Sequence, residues 1–275
     1  MTIPELLAIE KYPRTRHLQG SRLQEGDHDL TQLPARELVG RHVVVEEKVD
    51  GANMGISFTP RGELLLQSRG HYLTGGSAHE DQFDIVKAWA QTMRGTLWEL
   101  LGGRYVMYGE SMVKKHSCFY DHLPHFFMEF DVFDRERRAF LSTELRRILF
   151  AGSPVVSVPV LWEGTLRSEG DLLALHGRSL CKSPAWREAF EEEVRGQGLD
   201  MARAWRLTDD SDLAEGLYVK CEGDDVEERF KWIRASFHQT ILRANEDARG
   251  HVAFQPTIRN RLAPGVELFA MGGGA

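Results

Sequence analysis

The sequence predicts an α+β fold, and three observations carry that expectation. Short strand-like runs cluster with turn residues between them, helix-like stretches come in blocks, and no glycine-rich loop joins a strand to a helix. A doubly wound parallel sheet would instead alternate strand and helix. The length of 275 residues fits one or two domains. With 42% hydrophobic and 27% charged residues, the chain can bury a core and is not disordered or low in complexity.

Residues 1–39 read as an irregular polar segment whose stretch Lys11-Tyr-Pro-Arg-Thr-Arg-His-Leu-Gln-Gly-Ser-Arg22 is basic and rich in turn residues. Val43 to Lys48 reads as a strand. Asp50-Gly51 then supplies turn chemistry that sends the chain back through a second strand, Met54 to Phe58, with a third at Leu64 to Gln67. Between Phe83 and Leu101 the apolar residues Val86, Trp89, Ala90, Met93, Leu97, Leu100 and Leu101 recur every three or four positions, which predicts one amphipathic helix ended by Gly102-Gly103. Tyr105 to Tyr108, Phe126 to Phe133, Leu217 to Cys221 and Arg229 to Trp232 read as further strands. Ala185 to Trp205 and Ala235 to Asp247 read as helical. No internal repeat or linker interrupts the chain.

A formal net charge of −7 excludes a uniformly basic nucleic-acid binder and leaves a local patch as the remaining possibility. Arg229 to Arg261 offers one, with seven Lys/Arg against Glu246 and Asp247. Cys118, Cys181 and Cys221 show no CxxC spacing, so neither a disulfide framework nor a thiolate zinc site is expected. A reducing, cytoplasmic setting fits. There is no basic-then-apolar leader and no run of 18 uncharged apolar residues, so no membrane association is expected. His116, Cys118, His122 and His125 match no usual zinc spacing and read, with Lys114 and Lys115, as a substrate-facing loop. Glu222 to Glu228 reads as a solvated hairpin tip.

Neither a GxxxxGK[ST] loop nor a GxGxxG strand-to-helix junction is present, so the common phosphate cradles are absent. Lys48-Val-Asp-Gly-Ala-Asn-Met-Gly55 stands out instead. It puts an amine where a strand enters a turn, rigidly held and open to a ligand. Such an amine is nucleophilic only when unprotonated, so burial or neighbouring positive charge should lower its pKa. Downstream follow Tyr108-Gly109-Glu110, Phe127-Met-Glu-Phe130-Asp131-Val132, Glu215-Gly-Leu-Tyr-Val-Lys220 and Arg229-Phe-Lys231-Trp-Ile-Arg234.

In this order the set resembles motifs I, III, IIIa, IV and V of the covalent nucleotidyltransferases, the superfamily of ATP-dependent DNA ligases, RNA ligases and mRNA capping enzymes. The resemblance covers about 40–235 and implies a nucleotidyltransferase fold with antiparallel sheets flanked by helices. It implies Lys48 as the nucleophile on the α-phosphate of ATP and Glu215 as support for Mg²⁺ or Mn²⁺. Glu47, Asp50, Gly51 and Asn53 would belong to the nucleotide site around the lysine. Glu110 would hold a ribose hydroxyl and Phe130 would stack on adenine. Arg69 would contact ribose or a strand end, and Lys220, Arg229 and Lys231 would face the phosphates. Alternation on a strand puts Arg229 and Lys231 on one side.

Asn53 stands where DNA ligases and capping enzymes typically carry arginine, so the chain looks like a nick-sealing RNA ligase. Only Ala235 to Ala275 follows motif V, too little for an OB domain. The expectation is one domain spanning 1–275, with a core at about 40–235, an N-terminal basic segment and a short C-terminal helical extension at 236–275. Arg14, Arg16, His17, Lys114 and Asp131 are the residues assigned to RNA with a 5′-phosphate and a 3′-hydroxyl. No kinase P-loop or phosphatase-type cluster is visible, so damaged ends would be prepared by a separate end-healing kinase/phosphatase. The alternatives are a DNA nick ligase, a capping-type guanylyltransferase or a non-catalytic end-binding subunit.

Overall fold

The computed structural model describes residues 8–23, 27, 31–75, 78–237 and 258–269. Eleven strands are named: β1 (Arg16–His17), β2 (His42–Lys48), β3 (Ala52–Phe58), β4 (Leu64–Ser68), β5 (Tyr105–Ser111), β6 (Phe127–Asp134), β7 (Ala139–Leu141), β8 (Val156–Ser157), β9 (Val160–Thr165), β10 (Gly216–Glu222) and β11 (Asp225–Ile233). They form one continuous sheet in the order β4-β3-β5-β6-β7-β11-β10-β2-β9, with every neighbour along that path antiparallel. Two short strands add parallel pairs, β1 on β11 and β8 on β6. The helices are α1 (Asp84–Thr92), α2 (Arg94–Leu101), α3 (Thr143–Phe150), α4 (Glu169–Ala174), α5 (Trp186–Gly196) and α6 (Met201–Arg206). The fold class is therefore α+β, with helices flanking an antiparallel sheet.

One expected connection is different. Asp50-Gly51 closes no hairpin: β2 pairs with β10 and β9, whereas β3 pairs with β4 and β5, so the chain crosses between the two halves of the sheet at this turn. The physical reason lies in a third segment. The Asp50 carboxylate accepts the amides of Ser117 and Cys118 at 2.7 and 2.8 Å, and its own amide donates to the Tyr120 hydroxyl. The turn is thereby anchored to the loop after β5. Gly51 is needed for close approach, because a Cβ there would lie 2.6 Å from the Ser111 carbonyl oxygen.

The expected single helix at 83–101 is two helices broken at Met93, and both keep the apolar stripe: Val86, Trp89, Ala90, Met93, Leu97 and Leu101 are buried. Gly102 ends the second with a positive φ of 50°. The expected 235–247 helix falls mostly outside the described residues, and 235–237 are not helical.

Two apolar cores back the two halves. Met54, Ile56, Phe58, Met107 and Phe127 pack on Trp89 and Leu97 of the first helices, while Val43, Val45, Leu217, Val219 and Phe230 pack with Leu18, Leu38 and Leu172. The halves are joined by a buried ionic network. Arg146 of α3 donates to Glu46 of β2 at 2.7 Å and to Glu129 of β6 at 2.8 Å, and Lys220 of β10 sits 2.9 Å from Glu46 and 3.2 Å from Asp131. Arg229 completes it, 3.2 Å from Asp131. Three acids thus meet three bases, all but the partly exposed Arg229 buried, an arrangement tolerated only when each charge is paired.

Candidate active site

A cavity of about 450 Å³ opens where the two halves of the sheet meet, and Lys48 lies in it. Lys48 ends β2 directly opposite Gly216 of β10, which places Glu215 within reach: Lys48 Nζ donates to Glu215 Oε2 at 2.8 Å. No side chain fits at Gly216, since a Cβ would be 1.9 Å from the Trp232 carbonyl oxygen. Asn53 faces the cavity from β3 with Glu110 as its cross-strand partner on β5, and Ser68, Arg69 and His116 line the same space. Lys231 enters from β11.

The electrostatics overturn one expectation. Burial alone would lower the Lys48 amine, but Glu215, Glu110 and Asp50 outweigh it and hold the amine above the ordinary lysine value. Burial drives Glu110 up to about 8, with Glu215 and Asp50 adding to the rise and Lys48 opposing it. Glu215 is pushed up to about 7 by burial and by Asp50, against the pull of Lys48. Burial is thus the larger cause for both groups, and repulsion between neighbouring carboxylates adds to it.

At the other end of the cavity Phe130 presents its ring beside Val158 and Tyr218. Tyr12 packs edge-on against Phe130, ring centres 5.1 Å apart, and its hydroxyl donates to Asp131 at 2.5 Å and lies 2.6 Å from that of Tyr218. Sequence reading missed Tyr12. Its signal was an aromatic residue inside an otherwise basic stretch, which counts for little without knowing that the stretch returns to the sheet.

Several assigned residues sit elsewhere. Asp131 is wholly buried between Lys220, Arg229 and Tyr12, so it does not face RNA. Lys220 is equally buried and donates to the Phe130 carbonyl, behind the cavity wall instead of facing phosphates. Arg229 packs over the Phe140 ring at 3.7 Å. It shares a strand face with Lys231, but only Lys231 lines the cavity. Glu47 borders the cavity, yet its carboxylate accepts from Ser179 Oγ at 2.5 Å and from the Leu180 amide at 2.8 Å, holding that loop.

The RNA-facing set also divides. His17 is fully buried, bonded to Ser21 and Asp27, because β1 lies on β11 and not in solvent. Arg14 pairs with Asp27 at 3.5 Å, Arg16 pairs with Glu228 at 3.5 Å, and Lys114 bridges to Arg259 through its backbone. Lys115 is buried and donates to two carbonyls, so the 114–125 loop does not present it to substrate. Among the described residues no group of three or more His, Cys, Asp or Glu is placed to hold a metal ion.

The expected basic patch is largely neutralised by acids from outside its own segment. Arg229 pairs with Asp131, Lys231 with Asp27, Arg234 with Asp209, and Arg261 with Glu192 and Glu193. Arg243 and Arg249 lie outside the described residues. The acidic run is a hairpin tip as expected, but Glu227 and Glu228 pair with Arg41, and Glu222 accepts from Thr143.

The cleft thus brings together a strand-end lysine held among carboxylates, a second lysine and an aromatic ring. The chain belongs to the RNA ligase family, whose model matches residues 41–233. Three of the similar solved structures are of Naegleria gruberi RNA ligase. A variant with ATP and Mn is 18% identical, with a TM-score of 0.50, covering 85% of this chain and 62% of that one. Another variant with ATP and Mn is 18% identical at a TM-score of 0.48, covering 78% and 55%. The ligase with PPi is 18% identical at 0.49, covering 86% and 64%. This chain thus spans roughly three-fifths of their length. At that identity the likeness is one of fold. No curated protein sequence matches the chain.

Proposed function

We propose that this chain is an ATP-dependent RNA ligase built on a nucleotidyltransferase domain. The observation that carries the reading is Lys48 Nζ held 2.8 Å from Glu215 in a cleft that also contains Glu110, Lys231 and Phe130, within the stretch matched by the RNA ligase family. In the first step Lys48 releases a proton to solvent and its free amine attacks the α-phosphorus of ATP. An N–P bond forms, the P–O bond to the β-phosphate breaks, and pyrophosphate leaves. A 5′-phosphate oxygen of RNA then attacks the same phosphorus, a P–O bond forms as the N–P bond breaks, and the Lys48 amine leaves and takes up a proton. Finally a 3′-hydroxyl attacks the activated 5′-phosphate, the phosphodiester forms and AMP departs.

Phe130 would stack on the base, Glu110 would hold a ribose hydroxyl, Arg69 would contact ribose or a strand end, and Asn53 would belong to the nucleotide site; all four line the cavity, as does Lys231, which would meet the phosphates. The carboxylates fit a hard divalent cation: Glu215 and Glu110 line the cavity beside Lys48, burial first and neighbouring carboxylates second raise both their pKa values, and an ion held by one or two carboxylates plus phosphate oxygens needs no three-residue cluster. Bound Mg²⁺ or Mn²⁺ would neutralise the triphosphate and relieve the charge that keeps Lys48 protonated. ATP and Mn accompany the similar Naegleria ligase, which supports the same pair here.

RNA repair in the cytoplasm, with an end-healing kinase/phosphatase as partner, is the setting proposed. Three free thiols suit a reducing compartment, and among the described residues no helix is long and apolar enough to cross a membrane. The test is a panel of nicked duplexes with RNA or DNA on the 3′-hydroxyl side. Sealing that needs ATP, a divalent metal and a 3′-terminal RNA strand supports the reading. Equal sealing of all-DNA nicks would replace it with a DNA ligase, and use of GTP in place of ATP with a guanylyltransferase.

A further inference from the structure

Lys231 reaches the cavity beside Lys48, yet its ammonium is tied back to a residue far away in sequence. Its Nζ lies 2.5 Å from Asp27 Oδ2, and both side chains are about nine-tenths buried. The same carboxylate oxygen is 2.9 Å from His17 Nε2, His17 Nδ1 is 2.7 Å from Ser21 Oγ, and Ser21 Oγ accepts the amide of Ile233, two residues beyond Lys231. Backbone bonds fasten the segment on both sides of that lysine: Leu18 N to Lys231 O, and Arg22 N to Ile233 O, each 2.9 Å. A continuous chain, Ser21–His17–Asp27–Lys231, therefore runs from β11 out through the N-terminal segment and back to the lysine head on the same strand. Every member except Lys231 precedes residue 41, where the family match begins.

We infer that Asp27 is the positioning residue of Lys231, setting where this ammonium stands when a phosphate enters the cleft, and that His17 and Ser21 hold Asp27 for that purpose. A lysine has four flexible side-chain bonds, and a buried ammonium without a carboxylate partner would be both costly and poorly aimed. Fixing it beforehand removes that disorder from the reaction barrier. The inference rests on the ligase reading for the role of the phosphate, but the Asp27–Lys231 pairing stands on geometry alone.

The test uses Asp27→Asn in the parent and in a Lys231→Ala background, with two readouts. Lysyl-AMP formation should slow about tenfold or more in the parent background, with half-saturating ATP changed less than about threefold, and should slow less than about twofold when Lys231 is already absent. Acylation of the Lys231 amine by a soluble active ester, mapped by peptide mass spectrometry against exposed Lys11, should quicken about threefold or more in Asp27→Asn. Should Asp27→Asn fail to fold, Asp27→Glu keeps the charge but shifts it by one methylene, and its rate loss should likewise vanish in Lys231→Ala. Equal slowing in both backgrounds would overturn the inference, as would unchanged acylation. A parent chain that forms no lysyl-AMP, but whose Lys231 acylation still responds to Asp27→Asn, would remove the ligase reading and uphold the pairing.

Discussion

Lys48 keeps its proton because Glu215, Glu110 and Asp50 surround it, and burial, with repulsion between neighbouring carboxylates adding to it, pushes Glu110 up to about 8 and Glu215 up to about 7. Glu110 ionises near 8 in the fold, against an ordinary 4.5. The fold therefore favours its protonated form; that stability is complete below the ordinary value and is lost as pH rises through about 8. Glu110→Gln removes the loss. In thermal melts its Tm should exceed the parent's by about 3–6 °C at pH 8 and converge on it at pH 5; an advantage that is the same at both pH values would contradict this origin. Lys48, Glu110, Glu215 and Phe130 were legible in the sequence because each sits in a short motif on a strand or strand end, where two or three neighbours fix its direction. Asp131, Lys220 and His17 were misread for one reason: a charged residue in a motif looks exposed on paper, and only tertiary pairing shows that it is buried.

One element that escaped sequence reading, α3, carries polar residues on its inward face. Its buried side holds Thr143 and Arg146 beside Phe150 while Leu145 and Ile148 stand exposed, so its apolar residues do not mark the face that packs, although Ser142 caps it by accepting the Leu145 amide. Arg146 ties β2 to β6 through Glu46 and Glu129. Arg146→Leu leaves two buried carboxylates short of a partner and should cost about 3–5 kcal/mol, lowering Tm by roughly 10 °C. A shift below about 2 °C in thermal melts would show that the network does not join the halves. The β2-to-β3 connection was also misjudged, since Asp50-Gly51 carries hairpin chemistry and nothing local reveals that its carboxylate is spent on the Ser117 and Cys118 amides.

Across the whole molecule, the N-terminal segment binds the two halves of the sheet together. The Glu10 carbonyl accepts from Gln67 of β4 and Tyr108 of β5, while Leu18 is buried in the other core and bonded to β11. Deleting residues 1–23 should lower Tm by about 10 °C or prevent folding, because Tyr12, His17 and Leu18 leave buried sites at once. A deletion that melts within about 2 °C of the parent would contradict this. Composition gave a net charge of −7 and pointed to a basic face, but pairing has consumed most of that face. Binding to a nicked duplex should accordingly weaken only modestly with salt, with a log–log slope near −2, corresponding to about two phosphates; a slope beyond about −5 would reveal a larger basic surface. The central claim is that Lys48 carries the nucleotide. Incubating the chain with ATP and Mg²⁺ and mapping the product by mass spectrometry should place a single AMP adduct on the Lys48 peptide, absent from Lys48→Ala. An adduct on another residue, or one that persists in Lys48→Ala, would contradict it.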